Sequence, residues 1–423
     1  MALLTVTNLG KCRFPSPIRQ TLHGESFVPE AVEWSRPAPP RALKYLEVAG
    51  ARRRIFFKPS ETRAGIVTCG GLCPGLNNVI RSLFLELHFG YGVKEVLGFR
   101  DGYRGLDPDR GAPPITITPD LVDDIHGEGG TILGTSRGPV DTGAAVDNLI
   151  RLGINMLFTI GGDGTQRGGR DLFVEARRRK HPLAVVGIPK TIDNDVPFVS
   201  RTFGFTTAVG AARDVIDCAH TECHSCFNGV SLVKLMGRHA GFIAAAASVA
   251  SQDVNFCLIP ELPFTLDGDR GLLLALKRRL EQRRHAVIVV AEGAGQELMG
   301  TALGTCDASG NAVLQDVGPF LKQRIADYFK AQKMEITLRY FDPSYVVRSV
   351  AANSEDAVLC DSFARHAAHA AMAGKTGVII GVVHGHFVHV PIELLKGRTR
   401  NVDLKGELWR GVLATTGQPV TWS

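Results

Sequence analysis

The sequence has 423 residues, of which 44% are hydrophobic and 21% charged, and its formal net charge is +6. A chain of this length and composition is able to bury a large core, which excludes an intrinsically disordered protein and favours two α/β lobes. No apolar stretch is long enough to cross a bilayer, and the basic runs lack interleaved aromatic residues, so we expect neither a membrane nor a nucleic acid as partner.

In chain order, the sequence predicts four parts. Residues 1–60 are rich in Pro and Arg and are predicted to be an N-terminal extension, either an arm over the core or a subunit contact. Residues 61–204 predict a first α/β lobe, which a helix and a strand near 355–383 complete, and residues 205–354 predict a second. Residues 384–423 are predicted to form a tail that returns to the second lobe or wraps the surface. The expected fold class is α/β, with two Rossmann-like lobes and mostly parallel sheets.

Three glycine-rich or acidic loops are distinctive because each follows a short apolar run. Such runs are typical of strands buried in a parallel sheet, and open α/β sheets bind ligands at the carboxyl ends of these strands. The three loops therefore predict one site at the carboxyl edge of the first lobe's sheet. They are residues 68–75 after the run 64–67, residues 161–165 after the run 156–160, and residues 189–195 after the run 184–188.

The first of these loops offers an anion access to the backbone. Glycine has no Cβ, so peptide N–H groups at Gly70 and Gly71 are able to approach a polyphosphate closely. Apolar residues at helical spacing over about residues 75–89 predict a helix whose first turn points at the same anion. The loop has neither the GxxxxGK[ST] nor the GxGxxG pattern. For the glycine pair alone, a tight turn without a ligand is the alternative.

The other two loops contain carboxylates, which are able to bind a metal ion and to accept a proton. Asp163, between glycines, is placed to reach a Mg²⁺ ion that bridges nucleotide phosphates. Asp193 and Asp195 are two residues apart, and in an extended loop this spacing points both side chains the same way, so one is a candidate base and the other a candidate metal or positioning group. Thr191 and Lys190 offer a hydroxyl and a cation to a phosphoryl group. The alternative is that Asp-Asn-Asp is only a turn.

Six ordered motifs carry a resemblance to a known family: GGLCPGLN, LGTSRGPVD, GGDGTQRG, PKTIDND, VKLMGRHAG and DPSYVVRS. With them the chain resembles the ATP-dependent 6-phosphofructokinases from about residue 63 to about residue 390, and it is most similar to the branch that includes plant and trypanosomatid ATP enzymes. The resemblance implies the phosphofructokinase fold and transfer of the γ-phosphoryl group of MgATP to the 1-hydroxyl of fructose 6-phosphate, a step of glycolysis. It implies Mg²⁺ as cofactor, with ATP and fructose 6-phosphate as ligands.

Family roles carry over to the positions whose residues match. The implied ATP and Mg²⁺ site consists of Gly70, Gly71, Arg137, Gly138, Gly162, Asp163, Gly164 and Thr165, with Asp163 as the metal ligand. The implied sugar phosphate pocket consists of Thr191, Ile192, Asp193, Met236, Gly237, Arg238, Glu292, Tyr345 and Arg348. The resemblance assigns catalysis to Asp193, as the base that accepts the proton of the 1-hydroxyl, together with Arg238 and Thr191.

Two positions bear on the phosphoryl donor. Lys190 precedes TIDND, as is common in the pyrophosphate-dependent relatives, but those relatives usually carry a second aspartate where this chain has Gly164. A carboxylate at that position would fill and charge the space of the nucleotide's inner phosphate, so Gly164 favours ATP. A pyrophosphate-dependent phosphofructokinase is the alternative. A catalytically silent regulatory subunit is an alternative of another class, and the intact Asp163, Asp193 and Arg238 count against it.

The resemblance also bears on assembly and location. In the family some arginines of the sugar phosphate pocket come from a neighbouring subunit, so a homodimer or homotetramer is expected. Some members of the family are allosteric, but no residue of this sequence identifies an effector. The sequence shows no clear transit peptide and no peroxisomal address, and the cytoplasm is the expected location.

A separate cluster of cysteines and histidines occupies residues 218–226. Cysteine and histidine are zinc ligands, so a metal site is one interpretation. The cluster falls at the end of a helix predicted to begin near residue 206, where these side chains would point to several sides. Packing of the helix is therefore favoured over a metal site.

Overall fold

The computed structural model describes residues 2–22, 24–33, 43–139, 141–300 and 313–422. The chain divides into two compact units. Unit 1 consists of Met1–Thr191, Val196–Gly204 and Ser349–Arg398, and unit 2 consists of Ile192–Asp195, Phe205–Arg348 and Thr399–Ser423. The chain therefore passes from unit 1 to unit 2 within the third of the loops, between Thr191 and Ile192.

The strands of the described residues are β1 Ala2–Leu3, β2 Thr7–Asn8, β3 Phe14–Pro15, β4 Phe27–Pro29, β5 Lys44–Val48, β6 Arg54–Ile55, β7 Arg63–Thr68, β8 Glu95–Phe99, β9 Ile115–Thr116, β10 Met156–Gly161, β11 Ala184–Pro189, β12 Gly229–Leu235, β13 Phe256–Leu258, β14 His285–Ala291, β15 Thr337–Phe341, β16 Lys375–Thr376, β17 Val378–Val383 and β18 His386–Pro391.

The α-helices of the described residues are α1 Leu76–Leu85, α2 Pro119–Val122, α3 Thr142–Arg151, α4 Asp163–Arg178, α5 Phe205–Ser225, α6 Phe242–Ser251, α7 Leu272–Arg283, α8 Val317–Ala331, α9 Val346–Ser349, α10 Ser354–Met372 and α11 Glu407–Thr416. No helix among the described residues has the length and apolar character needed to span a membrane.

Unit 1 is built on a sheet of ten strands in the order β1-β5-β18-β17-β11-β10-β7-β8-β9, with β4 paired to β5. The five strands β17, β11, β10, β7 and β8 are parallel, and the strands that flank them are antiparallel to their neighbours. All six residues of β10 and all six of β11 are buried, as their continuous apolar runs predict for strands covered on both faces. The predicted α/β class, with a mostly parallel central sheet, is confirmed for this unit.

The sequence predicts an arm over the core or a subunit contact for the N-terminal extension, and some of its described residues pair with the sheet of unit 1. Strand β5 pairs antiparallel with β18 and with β4, so this segment extends the sheet of unit 1. Leu46 in β5 is fully buried, and the carboxylate of its neighbour Glu47 accepts hydrogen bonds from Arg52 and Lys375 at 2.8 Å each. A five-residue strand with one buried charge gives a weak local signal, which explains why the sequence predicted an arm here.

Unit 2 contains a four-stranded parallel sheet in the order β13-β14-β12-β15. Its core is a cluster of buried aliphatic and aromatic side chains from the sheet and from α7 and α8, joined by Trp422 near the end of the chain. The predicted tail is divided, because β18 belongs to unit 1 and α11 to unit 2. The side chain of Gln418 accepts from the N–H of Cys257 at 2.6 Å and donates to its carbonyl at 3.2 Å, so the tail satisfies the free edge of β13.

Candidate functional site

The three loops of unit 1 lie side by side. Strands β7, β10 and β11 are adjacent and parallel, with Ile160 opposite Thr68 and Gly161 opposite Pro189. The residues that follow these strands therefore emerge at one carboxyl edge. This is the arrangement that the apolar runs predict, and it brings Gly70, Gly162 and their neighbours together.

Lys190 connects the three loops. Its side chain is buried, and its ammonium group donates a hydrogen bond to the carbonyl oxygen of Gly71. Its backbone N–H donates to the carbonyl of Gly161 at 3.0 Å. A Cβ built at Gly70, whose φ is +86°, would lie 3.4 Å from the ammonium nitrogen. The lysine cation therefore lies next to the glycine pair.

Helix α1 begins behind the first loop, and its entry requires glycine. Gly75 is the residue before the helix, with a φ of +100° that side chains rarely adopt. A Cβ there would lie 2.5 Å from the sulfur of Cys360 and 3.2 Å from the ring of Phe203. The close contact fixes where α1 starts, and its first N–H groups point toward the loop end.

The second loop starts helix α4. Gly162 is the N-cap residue, and the Asp163 carboxylate in the first turn is exposed, with Arg167 at 3.4 Å. A Cβ at Gly164 would meet a single atom within 4 Å, on the flexible Arg167 side chain at 3.8 Å. Thr165 is buried, and its carbonyl accepts a hydrogen bond from the hydroxyl of Tyr103. An accessible carboxylate at a helix N-terminus next to open space fits a hydrated Mg²⁺ ion.

Arg137 and Gly138 lie in the loop next to Gly70. The N–H of Gly70 donates to the carbonyl of Ser136 at 3.1 Å, and Thr135 Oγ1 donates to the carbonyl of Gly70 at 2.6 Å. A cavity of about 120 Å³ opens here. Its lining combines cationic, acidic and small residues: Tyr103, Arg104, Asp107, Arg110, Ser136, Arg137, Gly138, Pro139 and Asp141. The arginines give the cavity a surface suited to phosphate oxygens.

The third loop contains a departure from the predicted geometry. Asn194, between the two aspartates, has a φ of +56°, which is left-handed rather than extended. The prediction that an extended loop points Asp193 and Asp195 the same way is therefore wrong in its premise. Thr191 belongs to unit 1, where its carbonyl accepts from Thr202 Oγ1 at 2.6 Å, while Ile192 and Asp193 belong to unit 2.

In unit 2, adjacent strands again place predicted residues at one edge. Leu235 at the end of β12 is opposite Ala291 at the end of β14, so Met236, Gly237 and Arg238 emerge beside Glu292. The N–H of Gly293 donates to the carbonyl of Gly237 at 3.1 Å. Burial raises the pKa of Glu292, and the charges of Arg238, Lys234 and Arg348 act against this rise. A carboxyl group placed among three cations suits a hydroxyl-rich anionic ligand.

Tyr345 and Arg348 come from the segment after β15. The guanidinium of Arg348 lies 4.7 Å from the ring centroid of Tyr345, and the tyrosine side chain is 73% exposed. Lys234, which the sequence did not single out, forms ion pairs with Asp316 at 3.0 Å and Asp342 at 2.8 Å. These pairs join the end of β12 to the end of β15, so they fix the strand ends from which Arg238 and Tyr345 follow.

Two residues of the predicted tail contact segments of the candidate site, and the sequence analysis did not identify them. Arg400 and Asn401, from the predicted tail, hydrogen-bond to Asn194 and His239 at 3.1 Å and 2.8 Å. These partners lie in the TIDND and MGRHAG segments, more than 150 residues away in the chain. No local pattern marks such contacts, since they depend on where the tail folds back.

In the structure, a third histidine lies next to the two histidines of the cysteine and histidine cluster. The ring centroids of His220, His224 and His285 lie 4.9 to 5.7 Å apart, and His220 Nδ1 is 3.2 Å from an oxygen of Asp253. In the described part of the chain, no three His, Cys, Asp or Glu side chains are arranged to hold a metal ion.

Comparisons with known proteins identify the family of the chain. The family described as phosphofructokinase matches residues 63–371. The chain is 48% identical to the ATP-dependent 6-phosphofructokinase of Borreliella burgdorferi, over 89% of this chain and 86% of the relative. It is 47% identical to ATP-dependent 6-phosphofructokinase 7 of Arabidopsis thaliana, over 94% and 81%, and 48% identical to the ATP-dependent 6-phosphofructokinase of Trypanosoma brucei brucei, over 88% and 76%. A solved pyrophosphate-dependent phosphofructokinase from Marinobacter aquaeolei has a TM-score of 0.69 at 20% identity, covers 84% of this chain and 91% of its own, and shows likeness of fold alone.

Proposed function

Because the chain belongs to the phosphofructokinase family, we propose that it transfers the γ-phosphoryl group of ATP to the 1-hydroxyl of fructose 6-phosphate, giving fructose 1,6-bisphosphate and ADP. The predicted resemblance to plant and trypanosomatid ATP enzymes is confirmed by relatives of both kinds. The observation that carries the proposal is the junction at Lys190, which joins the loops of Gly71 and Gly161 at one carboxyl edge.

In this function unit 1 binds the nucleotide. The backbone of the Gly70–Gly71 turn, with the Lys190 cation next to it, contacts phosphate oxygens, and Arg137 binds them from the neighbouring cavity. The Gly70 N–H is not one of the phosphate donors, because it donates to the carbonyl of Ser136. Gly162, Gly164 and Gly138 leave room for the nucleotide, and the Thr165 backbone at the start of α4 adds a helix N-terminus. Their roles rest on the family resemblance together with this placement.

Asp163 is the proposed ligand of Mg²⁺. Its exposed carboxylate at the first turn of α4 has the donor chemistry and accessibility that this ion needs. When bound, Mg²⁺ neutralises charge on the phosphates of the donor and orients them. Arg167, 3.4 Å from the carboxylate, orients Asp163 in the first turn of α4, and Asp163 is the residue that would hold Mg²⁺.

Unit 2 supplies the sugar phosphate pocket and the base. Asp193 accepts the proton of the 1-hydroxyl, a contribution of about 10² to 10⁴-fold in rate. Arg238 and Arg348 bind the sugar phosphate, and Glu292 accepts from sugar hydroxyls. The family resemblance assigns Met236, Gly237, Tyr345, Thr191 and Ile192 to sugar phosphate binding as well.

ATP is the proposed donor, and the pyrophosphate alternative is not favoured. The relatives at 47 to 48% identity are named ATP-dependent enzymes. The open space at Gly164 supports the same choice, because nothing rigid lies within 4 Å of an added Cβ. A silent regulatory subunit is likewise disfavoured, since Asp163, Asp193 and Arg238 are present.

A homodimer or homotetramer in the cytoplasm remains our expectation for the assembled enzyme. Dependence of activity on assembly follows if a neighbouring subunit lends arginines to the pocket. Light scattering across the concentration range of the activity assay measures the assembly state, and full activity of a monomer would contradict it.

Two parallel incubations test the function. Purified protein receives fructose 6-phosphate and Mg²⁺, with ATP in one tube and pyrophosphate in the other, and fructose 1,6-bisphosphate is measured. Product with ATP alone is the expected result, and a chelator of Mg²⁺ abolishes it. Product with pyrophosphate alone would show that Lys190 outweighs Gly164, and product in neither tube would overturn the proposed function.

A further inference from the structure

The segment that follows Thr399 makes several hydrogen bonds to two loops of unit 2. One is the Asp193 loop, residues 192–195, and the other is the Arg238 loop, residues 236–241. Both loops and the segment belong to unit 2. The sequence assigns no role to this segment, which lies beyond the six motifs.

Arg400 binds the Asp193 loop through its backbone and its side chain. Its N–H donates to the carbonyl of Asp195 at 2.8 Å, and its guanidinium donates to the carbonyl of Asn194 at 3.1 Å. The guanidinium carbon lies 4.6 Å from the ring centroid of Phe242, the first residue of α6. A cation that stacks on an aromatic face while donating to carbonyls is held in one orientation, as the planar Arg side chain allows and Lys does not.

The loop that Arg400 holds makes a sharp turn after Asp193. Asn194 has a φ of +56°, a left-handed geometry that asparagine tolerates better than other residues with a side chain. This turn sets the direction of the Asn194 carbonyl, to which the Arg400 guanidinium donates. The two hydrogen bonds from Arg400 fall on this residue and the next, where they oppose relaxation of the turn that follows Asp193.

The next two residues bind the Arg238 loop. Asn401 Nδ2 donates to the carbonyl of His239 at 2.8 Å. The N–H of Val402 donates to Glu261 Oε1 at 2.8 Å, and the same carboxylate accepts from the N–H of Gly241 at 3.0 Å. One short stretch thus contacts the residues that follow the proposed base and the residue that follows Arg238.

We propose that Arg400 and Asn401 are positioning residues that hold the Asp193 loop and the Arg238 loop in register for phosphoryl transfer. The inference rests on the proposed function for the identity of the two loops. Each residue acts through hydrogen bonds to the backbone of a loop that carries a reacting group. Small displacements of such loops cost up to about 10²-fold in rate, so the effect falls on kcat.

The variant that tests the proposal is Arg400→Met, which keeps an unbranched apolar side chain next to Phe242 and removes the guanidinium. Two readouts are needed: hydrogen exchange of the amides of residues 192–195, and kcat with KM for ATP. We expect exchange in this loop to quicken about 10-fold or more, as loss of one charged hydrogen bond predicts. We expect kcat to fall about 10 to 100-fold with KM for ATP unchanged. Asn401→Ala changes exchange in residues 238–241 instead.

Arg398→Met is the matched control, two residues earlier. Arg398 also stacks on an aromatic ring, that of Phe198 at 5.6 Å, but it lies in unit 1. We expect it to alter neither kcat nor exchange in residues 192–195. If Arg400→Met fails to fold, Arg400→Lys is used instead, since it keeps the charge but not the planar arrangement of guanidinium N–H donors.

The outcomes separate the two proposals. Unchanged exchange in residues 192–195 in a folded Arg400 variant overturns the positioning role, whatever the activity. Faster exchange with unchanged kcat also overturns it, because a purely structural contact would behave in this way. Absence of turnover in the wild-type protein overturns the proposed function, while the exchange readout still decides whether Arg400 holds the loop.

Discussion

The ammonium group of Lys190 donates a hydrogen bond to the carbonyl oxygen of Gly71, and the backbone N–H of the same lysine donates to Gly161 at 3.0 Å. One residue thus fixes the spacing of two loops that follow neighbouring strands. The side chain is buried, so the cation depends on this partner and on the ligands that the loops bind. Substitution of Lys190 therefore tests how much its cation contributes to nucleotide binding.

Removal of the lysine cation should weaken nucleotide binding. In Lys190→Met the Gly71 carbonyl loses its donor, and the phosphates lose a nearby positive charge. We expect KM for ATP to rise about 10-fold or more, since a hydrogen bond from a charged group contributes about 1.5 to 3 kcal/mol. Steady-state kinetics with varied ATP measures it. Lys58→Met, at an exposed ion pair with Glu61, is the control and should leave KM unchanged.

The position after Asp163 should control the choice of donor. Gly164→Asp adds a carboxylate in the open space at the start of α4, so we expect kcat/KM for ATP to fall about 10 to 100-fold by like-charge repulsion of phosphate. The control is Gly164→Ala, whose Cβ meets only ordinary contact and whose helix propensity is higher. An assay in which ATP and pyrophosphate compete measures the preference for the phosphoryl donor. Equal loss in both variants would show that bulk, not charge, decides.

Loss of the proposed base should affect turnover more than binding. Asp193→Ser is expected to fold normally and to lose roughly 10² to 10⁴-fold in kcat, with little change in KM for either substrate. Asp327→Ser, at an exposed position on α8, serves as the control. A variant that keeps its turnover, or one whose substrate affinity collapses instead, would remove Asp193 from the role of base.

Stability should fall at mildly acidic pH because of a buried histidine. His366 stacks on Phe387 with ring centroids 4.4 Å apart, and it faces His369 on its own helix. Burial, and in addition the charges of His389 and Arg365, lowers the pKa of His366 to about 4, from 6.5. The unfolded chain then binds a proton in this window that the folded chain does not. The free energy of unfolding is therefore fully present above pH 6.5 and decreases as the pH falls from 6.5 toward 4.

The corresponding variant is His366→Phe, which keeps a ring against Phe387 and removes the titrating group. Relative to wild type it should gain about 2 kcal/mol at pH 5 compared with pH 7.5, since each unit below the unfolded pKa is worth about 1.4 kcal/mol. Denaturant unfolding at the two pH values measures the difference. His386→Phe, at an exposed position of β18, should show no such gain, and an equal gain in both variants would assign the effect to hydrophobicity alone.

Much of unit 1 follows from local sequence. The apolar runs at 64–67, 156–160 and 184–188 correspond to β7, β10 and β11, within one residue at each end. Each run is continuous because its strand is covered on both faces, and β10 and β11 end in glycine and proline at the sheet edge. Such signals are local, so the strands and the order of the three loops were predictable.

Other features were only partly readable from the local sequence. The residues around Asp193 and Asp195 left open an extended loop or a turn, and Asn194 adopts a left-handed conformation whose carbonyl accepts a hydrogen bond from the distant Arg400. Strand β5 was hidden in a segment rich in Pro and Arg, because its partner β18 lies more than 300 residues away in the chain. Long-range pairing decides both cases, and composition near the residue does not report it.

The sequence by itself determined the family, the three loops and the residue types that we propose for phosphate binding, since these depend on glycine conformation, carboxylate chemistry and apolar runs within a few residues. Only the tertiary structure decided that the Lys190 ammonium group reaches Gly71, and that the tail residues Arg400 and Asn401 reach the Asp193 and Arg238 loops. The physical reason is that hydrogen bonds between distant segments form where the folded backbone brings donor and acceptor within about 3 Å, a distance that residue spacing along the chain does not encode.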